Sequence, residues 1–181
     1  MLTPPIYRVI SYFNGSSISL SSIHPFSYDT REIQRLGIQV VISLLEEIEA
    51  PCFVKKVIPN HVKHYYYSLK DSSEQMIEKY HDSIFTHLYN SLERGKNVLL
   101  HCRNGESLCV AILIGFFIQC ARWGEKYLIC DYLNTIPKYF DKWTDSFLYY
   151  IEYNYPPTKL RYEFKQQLYD YERKILSDEE D

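Results

Sequence analysis

The stretch Val98-Leu99-Leu100-His101-Cys102-Arg103-Asn104-Gly105-Glu106-Ser107-Leu108-Cys109, continuing into Val110–Ile118, constrains the fold of this chain more than any other. A short apolar run, a small loop opening on a cysteine and a long apolar run spell a buried strand, a tight turn and a buried helix. Such a junction aims backbone N–H groups and a helix N-terminus at one spot. That spot attracts anions and lowers the pKa of a thiol placed in it. Cys102 occupies that spot, although buried cysteines are common in strands without any reactivity.

The rest of the chain reads as alternating strands and helices. Tyr7–Ile10 and Ile18–Leu20 flank Asn14-Gly15, which predicts an opening hairpin. Asp29 with Glu32 forms a capping box for a short helix over Thr30–Leu36, stopped by Gly37. Ile38–Leu44 reads as a buried strand, Glu46–Pro51 as a solvated acidic turn, and Val54–Ile58 and Tyr65–Leu69 as two further strands. Tyr65-Tyr66-Tyr67 suits aromatic packing on a strand better than a phosphotyrosine mimic or target. Lys70–Glu74 opens a long helix with Met76, Ile77, Tyr80, Ile84, Phe85, Leu88 and Leu92 on one face and Gly95 at its end. Asp71 with Glu74 is itself a capping box, so Asp71 reads as an N-cap. Asn97–His101 is the central strand and Ser107–Gln119 the central helix, apolar nearly all round. Phe147–Tyr153 forms the next helix, Tyr155-Pro156-Pro157 breaks it, and Leu160–Ile175 forms the last.

His101, Cys102 and Gly105 match the signature His-Cys-x-x-Gly-x-x-Arg-Ser/Thr, and the chain resembles the dual-specificity branch of the cysteine-dependent protein phosphatases. Leu36-Gly37-Ile38 and the wording Phe164 to Glu172 are also similar to that family. The resemblance covers about residues 5–120 and 147–172, and residues 121–143, carrying Arg122, Lys126, Lys138 and Lys142, read as an insertion. It implies an α/β fold, a single central mixed sheet flanked by helices, with a loop-to-helix phosphate cradle at His101–Cys109. It also implies a general-acid role for Asp71, which competes with the N-cap reading, and a loop-ordering hydrogen bond for His101. In such an enzyme the thiolate attacks phosphorus, loop amides and an arginine hold the phosphoryl oxygens, and an aspartic acid protonates the leaving oxygen.

The departures from the signature decide the function reading. The arginine position holds Leu108 and the hydroxyl position holds Cys109. Losing a bidentate arginine removes two charge-assisted hydrogen bonds, and in other phosphoryl transfers one such arginine is worth roughly 10³–10⁵ in rate. Glu106, if it faced the loop ~5 Å from a phosphate charge, would cost about 3 kcal/mol per charge pair and would raise the Cys102 pKa. Cys109 is a weaker donor to a departing thiolate than a serine. A substitute cation would have to come from Arg103 or from the insertion. The leading expectation is a catalytically impaired dual-specificity-like domain, a pseudophosphatase, binding a phosphoprotein or a phosphatase partner. The alternatives are a weakly active phosphatase using Cys102 and Asp71, and a structural or oligomeric interaction protein.

Composition narrows the setting. With 181 residues, 46% hydrophobic and 24% charged, the chain suits one domain over 1–176, with an acidic frayed tail at 177–181. A net charge of −3 with scattered Lys and Arg argues against nucleic acid. The longest apolar run, Cys109–Ile118, is about half the ~20 residues needed to span a bilayer. Met1–Pro5 shows no signal or transit peptide. Five cysteines without a C-x-x-C pair fit a reducing intracellular compartment, cytoplasmic or nuclear, and no metal or cofactor motif is visible. If Cys102 is protected by a disulfide, Cys109 or Cys52 is the partner. The 18 tyrosines suit core and half-buried surface.

Overall fold

A computed structural model of the chain describes residues 6–12, 14–23, 31–47, 58–123 and 141–177. The strands are β1 (Tyr7–Ser11), β2 (Ser17–Ser22), β3 (Ile38–Leu45), β4 (Lys63–Ser68) and β5 (Asn97–Cys102). The helices are α1 (Arg31–Arg35), α2 (His81–Glu93), α3 (Leu108–Arg122), α4 (Trp143–Asn154) and α5 (Tyr162–Ser177), with a 3-10 turn over Glu78–Tyr80.

The strands form one mixed sheet in the order β1-β2-β5-β3-β4, antiparallel between β1 and β2 and parallel elsewhere. Strand β5 is central, and its near-continuous apolar wording follows from burial on both faces. Val98, Leu100 and Cys102 join a large core with the residues of α2, α3, α4 and α5. Leu99 points the other way, into a smaller core with Ile33, Val41 and Leu45. The register sets Cys102 opposite Ser22 on one side and Leu44 on the other. The nucleophile candidate is therefore placed at the carboxyl end of the middle strand by the packing of all its neighbours.

The opening hairpin forms as expected, with Gly15 at φ +84° and the Asn14 side chain donating to the Leu92 carbonyl at 2.7 Å. Residues 65–67 use their rings in packing: Tyr65 stacks on His87 at 3.6 Å, and the Tyr66 hydroxyl donates to Leu45 O at 3.0 Å. The capping residue Asp29, residues 54–57 of the strand expected over Val54–Ile58, most of the insertion and the tail 178–181 lie outside the described residues, as do 48–51 of the acidic turn.

The long helix begins later than its periodicity predicts. Residues 70–77 are held by side chains rather than by helical bonds: Lys70 N–H donates to Gln75 Oε1 at 3.0 Å, and Ile77 N–H to Gln167 Oε1 of α5 at 2.9 Å. Gln167 Nε2 donates back to Gln75 O at 2.9 Å. Asp71 thus caps no helix, because α2 starts ten residues further on, and Met76 is exposed rather than in the core.

Helix α4 begins one turn earlier than its apolar pattern, for an electrostatic reason. The buried carboxylate of Glu172, on α5, accepts Trp143 N–H at 2.7 Å, Thr144 N–H at 3.0 Å and the Thr144 hydroxyl at 2.7 Å. A carboxylate at a helix N-terminus satisfies the donors that the first turn leaves open. Glu172→Ala strands these buried donors, and at about 1–3 kcal/mol for each one left unsatisfied urea unfolding of the variant is expected to show a loss of at least ~2 kcal/mol.

Candidate functional site

Strand β5 ends at Cys102, residues 103–107 turn, and α3 starts at Leu108. Gly105 makes the turn at φ +74°, and a Cβ there would lie 2.6 Å from Ser22 N and 2.8 Å from the Tyr155 hydroxyl. Only glycine fits so close an approach at that backbone angle.

The turn converges on the Cys102 sulfur. Cys102 Sγ–H donates to Cys109 Sγ at 3.4 Å, a contact whose direction reverses when Cys102 ionises, and the backbone N–H groups of Cys109 and Gly105 hydrogen-bond the Cys102 sulfur. The Cys109 thiol is the largest cause of a lowered Cys102 pKa; burial and the Asp71 charge oppose it. The Cys109 pKa is raised in turn, first by burial and then by its bond to Cys102. Both are reduced thiols, so the disulfide is not formed, and Cys52 lies outside the described residues.

His101 is fully buried and orders this end of the sheet. Its Nε2 is 2.6 Å from Ser43 Oγ, which is 2.7 Å from His64 Nε2. Burial, with His64 nearby, pushes its pKa down to about 3.

Above the turn lies a cavity of about 350 Å³ lined by Leu44, Glu46, Leu69, Asp71, Arg103, Asn104 and Arg161. Cys102 is 0% exposed and is not among its lining residues. Leu108 is also 0% exposed, packed into the larger core, so the first turn of α3 offers the cavity no charge. The site holds a buried thiol with a lowered pKa and a polar cavity whose lining does not include it.

Glu106 departs from expectation. Its carboxylate pairs with Lys159 Nζ at 3.2 Å, and the charge that raises the Cys102 pKa is that of Asp71. The insertion cations are not at the site among the described residues. Arg122 lies at the far end of α3, roughly 21 Å along the axis from Leu108, and Lys142 sits over the Tyr169 ring at 3.9 Å. Lys126 and Lys138 lie outside the described residues. Arg103, by contrast, does line the cavity.

Arg161 is the site residue that sequence reasoning missed. Its Nε donates to Asp71 Oδ1 at 2.8 Å, and its backbone N–H donates to Ser107 Oγ at 3.0 Å. It belongs to a segment that straps the turn: Lys159 N–H donates to Glu106 O at 2.8 Å, and Tyr155 abuts Gly105. The Pro156-Pro157 break was the available signal, since a chain stopped there must cross something before α5 begins.

The buried histidines set an acid limit. His81, 2% exposed and stacked on Phe85 at 4.5 Å, has its pKa lowered to about 4 by burial. Below the ordinary value near 6.5 the unfolded chain takes up protons that His81 and His101 in the fold refuse. Stability should fall as pH drops from about 6.5 to 5, by about 1.4 kcal/mol per pH unit for each histidine. Urea midpoints across this range should show a shallower dependence for His81→Phe than for the parent; parallel dependences would contradict the assignment.

No family model matches the chain, and no curated protein sequence does. Solved structures do match. The human tyrosine phosphatase-like serine/threonine/tyrosine-interacting protein superposes with a TM-score of 0.70 at 19% identity, covering 95% of this chain and 98% of its own. Human DUSP28 gives 0.68 at 14% identity, covering 97% of each. PTPMT1, in its complex with PI(5)P, gives 0.68 at 15% identity, covering 97% and 99%. At these identities the likeness shows the fold: this chain has the mixed-sheet α/β fold of dual-specificity-phosphatase structures, with Cys102 at the strand-to-helix turn.

Proposed function

We propose that this chain is a pseudophosphatase, a phosphatase-fold domain that binds a phosphorylated protein, or the partner of an active phosphatase, without efficient turnover. The observation that carries the reading is Leu108, wholly buried at the first turn of α3. A phosphoryl group in transfer spreads charge over three oxygens, and at that turn this chain supplies methyl groups. Full burial of Cys102 acts in the same direction, because a nucleophile must stand ~3–3.5 Å from its target atom. The likeness to a structure described as a phosphatase-like interacting protein agrees with this reading.

A weakly active phosphatase is the second reading. It is favoured by the lowered Cys102 pKa and by an aspartate and two arginines at the cavity. Cys102 would be the nucleophile and Asp71 the acid. Asp71 is held by Arg161, Nε to Oδ1 at 2.8 Å, so it would have to leave that pair to reach a leaving oxygen.

Turnover of a small aryl phosphate separates the two. The parent is expected to show no rate that Cys102→Ser removes. Leu108→Arg supplies the missing cation and breaks the packing that covers Cys102, so it should gain a rate, by up to roughly 10³-fold, that Cys102→Ser abolishes in the same background. A Cys102-dependent rate in the parent would overturn the pseudophosphatase reading, whether or not Leu108→Arg folds.

A further inference from the structure

We propose that Arg161 is the oxyanion-binding residue of the cavity, and that the Asp71 carboxylate occupies it in the unliganded protein as an internal stand-in for a phosphate monoester. The inference rests on the binding reading above and names the ligand class and the residue that receives it.

Three observations converge. Arg161 lines the cavity together with Arg103 and Asn104, so two arginines border one space of about 350 Å³, the lower end of ligand-sized pockets. Its backbone is pinned beside the N-terminus of α3 through Ser107 Oγ, where the turn concentrates N–H donors. Its side chain is already bound to an anion, Asp71 Oδ1 at 2.8 Å. An arginine holding a carboxylate at the rim of a polar cavity has the chemistry to hold a phosphate there.

The ion pair is also replaceable. It is made through Nε and a single carboxylate oxygen, with the arginine side chain 45% exposed, and partly exposed pairs of this kind contribute little. A phosphate dianion offers the fork geometry that one carboxylate oxygen does not use. Asp71 is only 11% exposed, so the ligand that takes Arg161 must also release or neutralise it. The charge balance of the lining points the same way: Arg103 and Arg161 are matched by Asp71 and Glu46. A dianion then binds by exchanging for an internal anion.

Leu108 and Arg161 are thus linked. The cation that the helix turn lacks is delivered from the strap, several residues after the Pro156-Pro157 break, to the outer cavity. There it can hold a phosphate above the turn while Cys102 stays sealed beneath.

The test is equilibrium binding of phenyl phosphate and of inorganic phosphate to the full chain, followed by ³¹P NMR, with Arg161→Gln, Asp71→Asn and the double variant. Arg161→Gln removes the guanidinium and keeps the backbone bond to Ser107, so the fold should survive. It should weaken binding about tenfold or more. Asp71→Asn should tighten binding roughly two- to fivefold, and the double variant should bind like Arg161→Gln alone. Unchanged affinity in Arg161→Gln would overturn the inference and leave the binding reading intact, with Arg103 and the loop amides as the ligands. Weaker binding in Asp71→Asn would overturn the stand-in role. No binding by any variant would overturn the inference together with the phosphoprotein reading. Phosphate release abolished by Cys102→Ser would count against the pseudophosphatase reading alone, since the affinities would still report on Arg161.

Discussion

The approach of Gly105 to the end of β2 governs the site. With the backbone at φ +74° and Ser22 N placed 2.6 Å from where a Cβ would be, the turn lies pressed against the sheet. That contact brings the N–H of Gly105 and the first donors of α3 within reach of the Cys102 sulfur. The parallel pairing of β5 with β2 and β3 fixes the other end of the same arrangement, since Ser22, Cys102 and Leu44 stand in register. Sheet, turn and helix thus share one geometric constraint, and a thiolate-stabilising cradle follows from it whether or not catalysis does.

The fold and the chemistry separate at Leu108. Its side chain completes a core of Val110, Ile112, Phe116 and their neighbours, so the packing at this turn is whole without a charged residue there. Fold and activity are stored in different residues of one loop. The strap over residues 155–161 adds a second layer to the turn, with Lys159 paired to Glu106 and Arg161 paired to Asp71 at the cavity. The charges that would act on a phosphate are balanced among themselves. On the reading proposed above, such a surface suits exchange of one anion for another, whereas acid catalysis would need Asp71 released from Arg161.

The strand, turn and helix around Cys102 were legible because periodicity and glycine chemistry are local signals. The same holds for the buried face of α5, where Phe164, Leu168, Tyr171 and Ile175 fall at helical spacing and are all buried. The start of α2 was not legible. Asp71 and Glu74 have the spacing of a capping box, yet tertiary bonds from Gln167 and Arg161 claim that segment first. Glu106 read as a hazard to the thiol because its partner Lys159 lies 53 residues away. Arg161 was missed for the same reason: its role depends on a contact with Asp71 across 90 residues, which no window of sequence displays. Charged side chains drawn together from distant segments were the blind spot, and apolar periodicity was the dependable guide.

The most direct test is the mass of the intact protein after rapid acid quench of a reaction with excess aryl phosphate. A sealed thiol beneath an outer anion site predicts unmodified protein at every time sampled. A phosphoryl adduct that forms on the parent chain and is missing from Cys102→Ser would show that Cys102 reaches phosphorus, and would contradict the account at its centre.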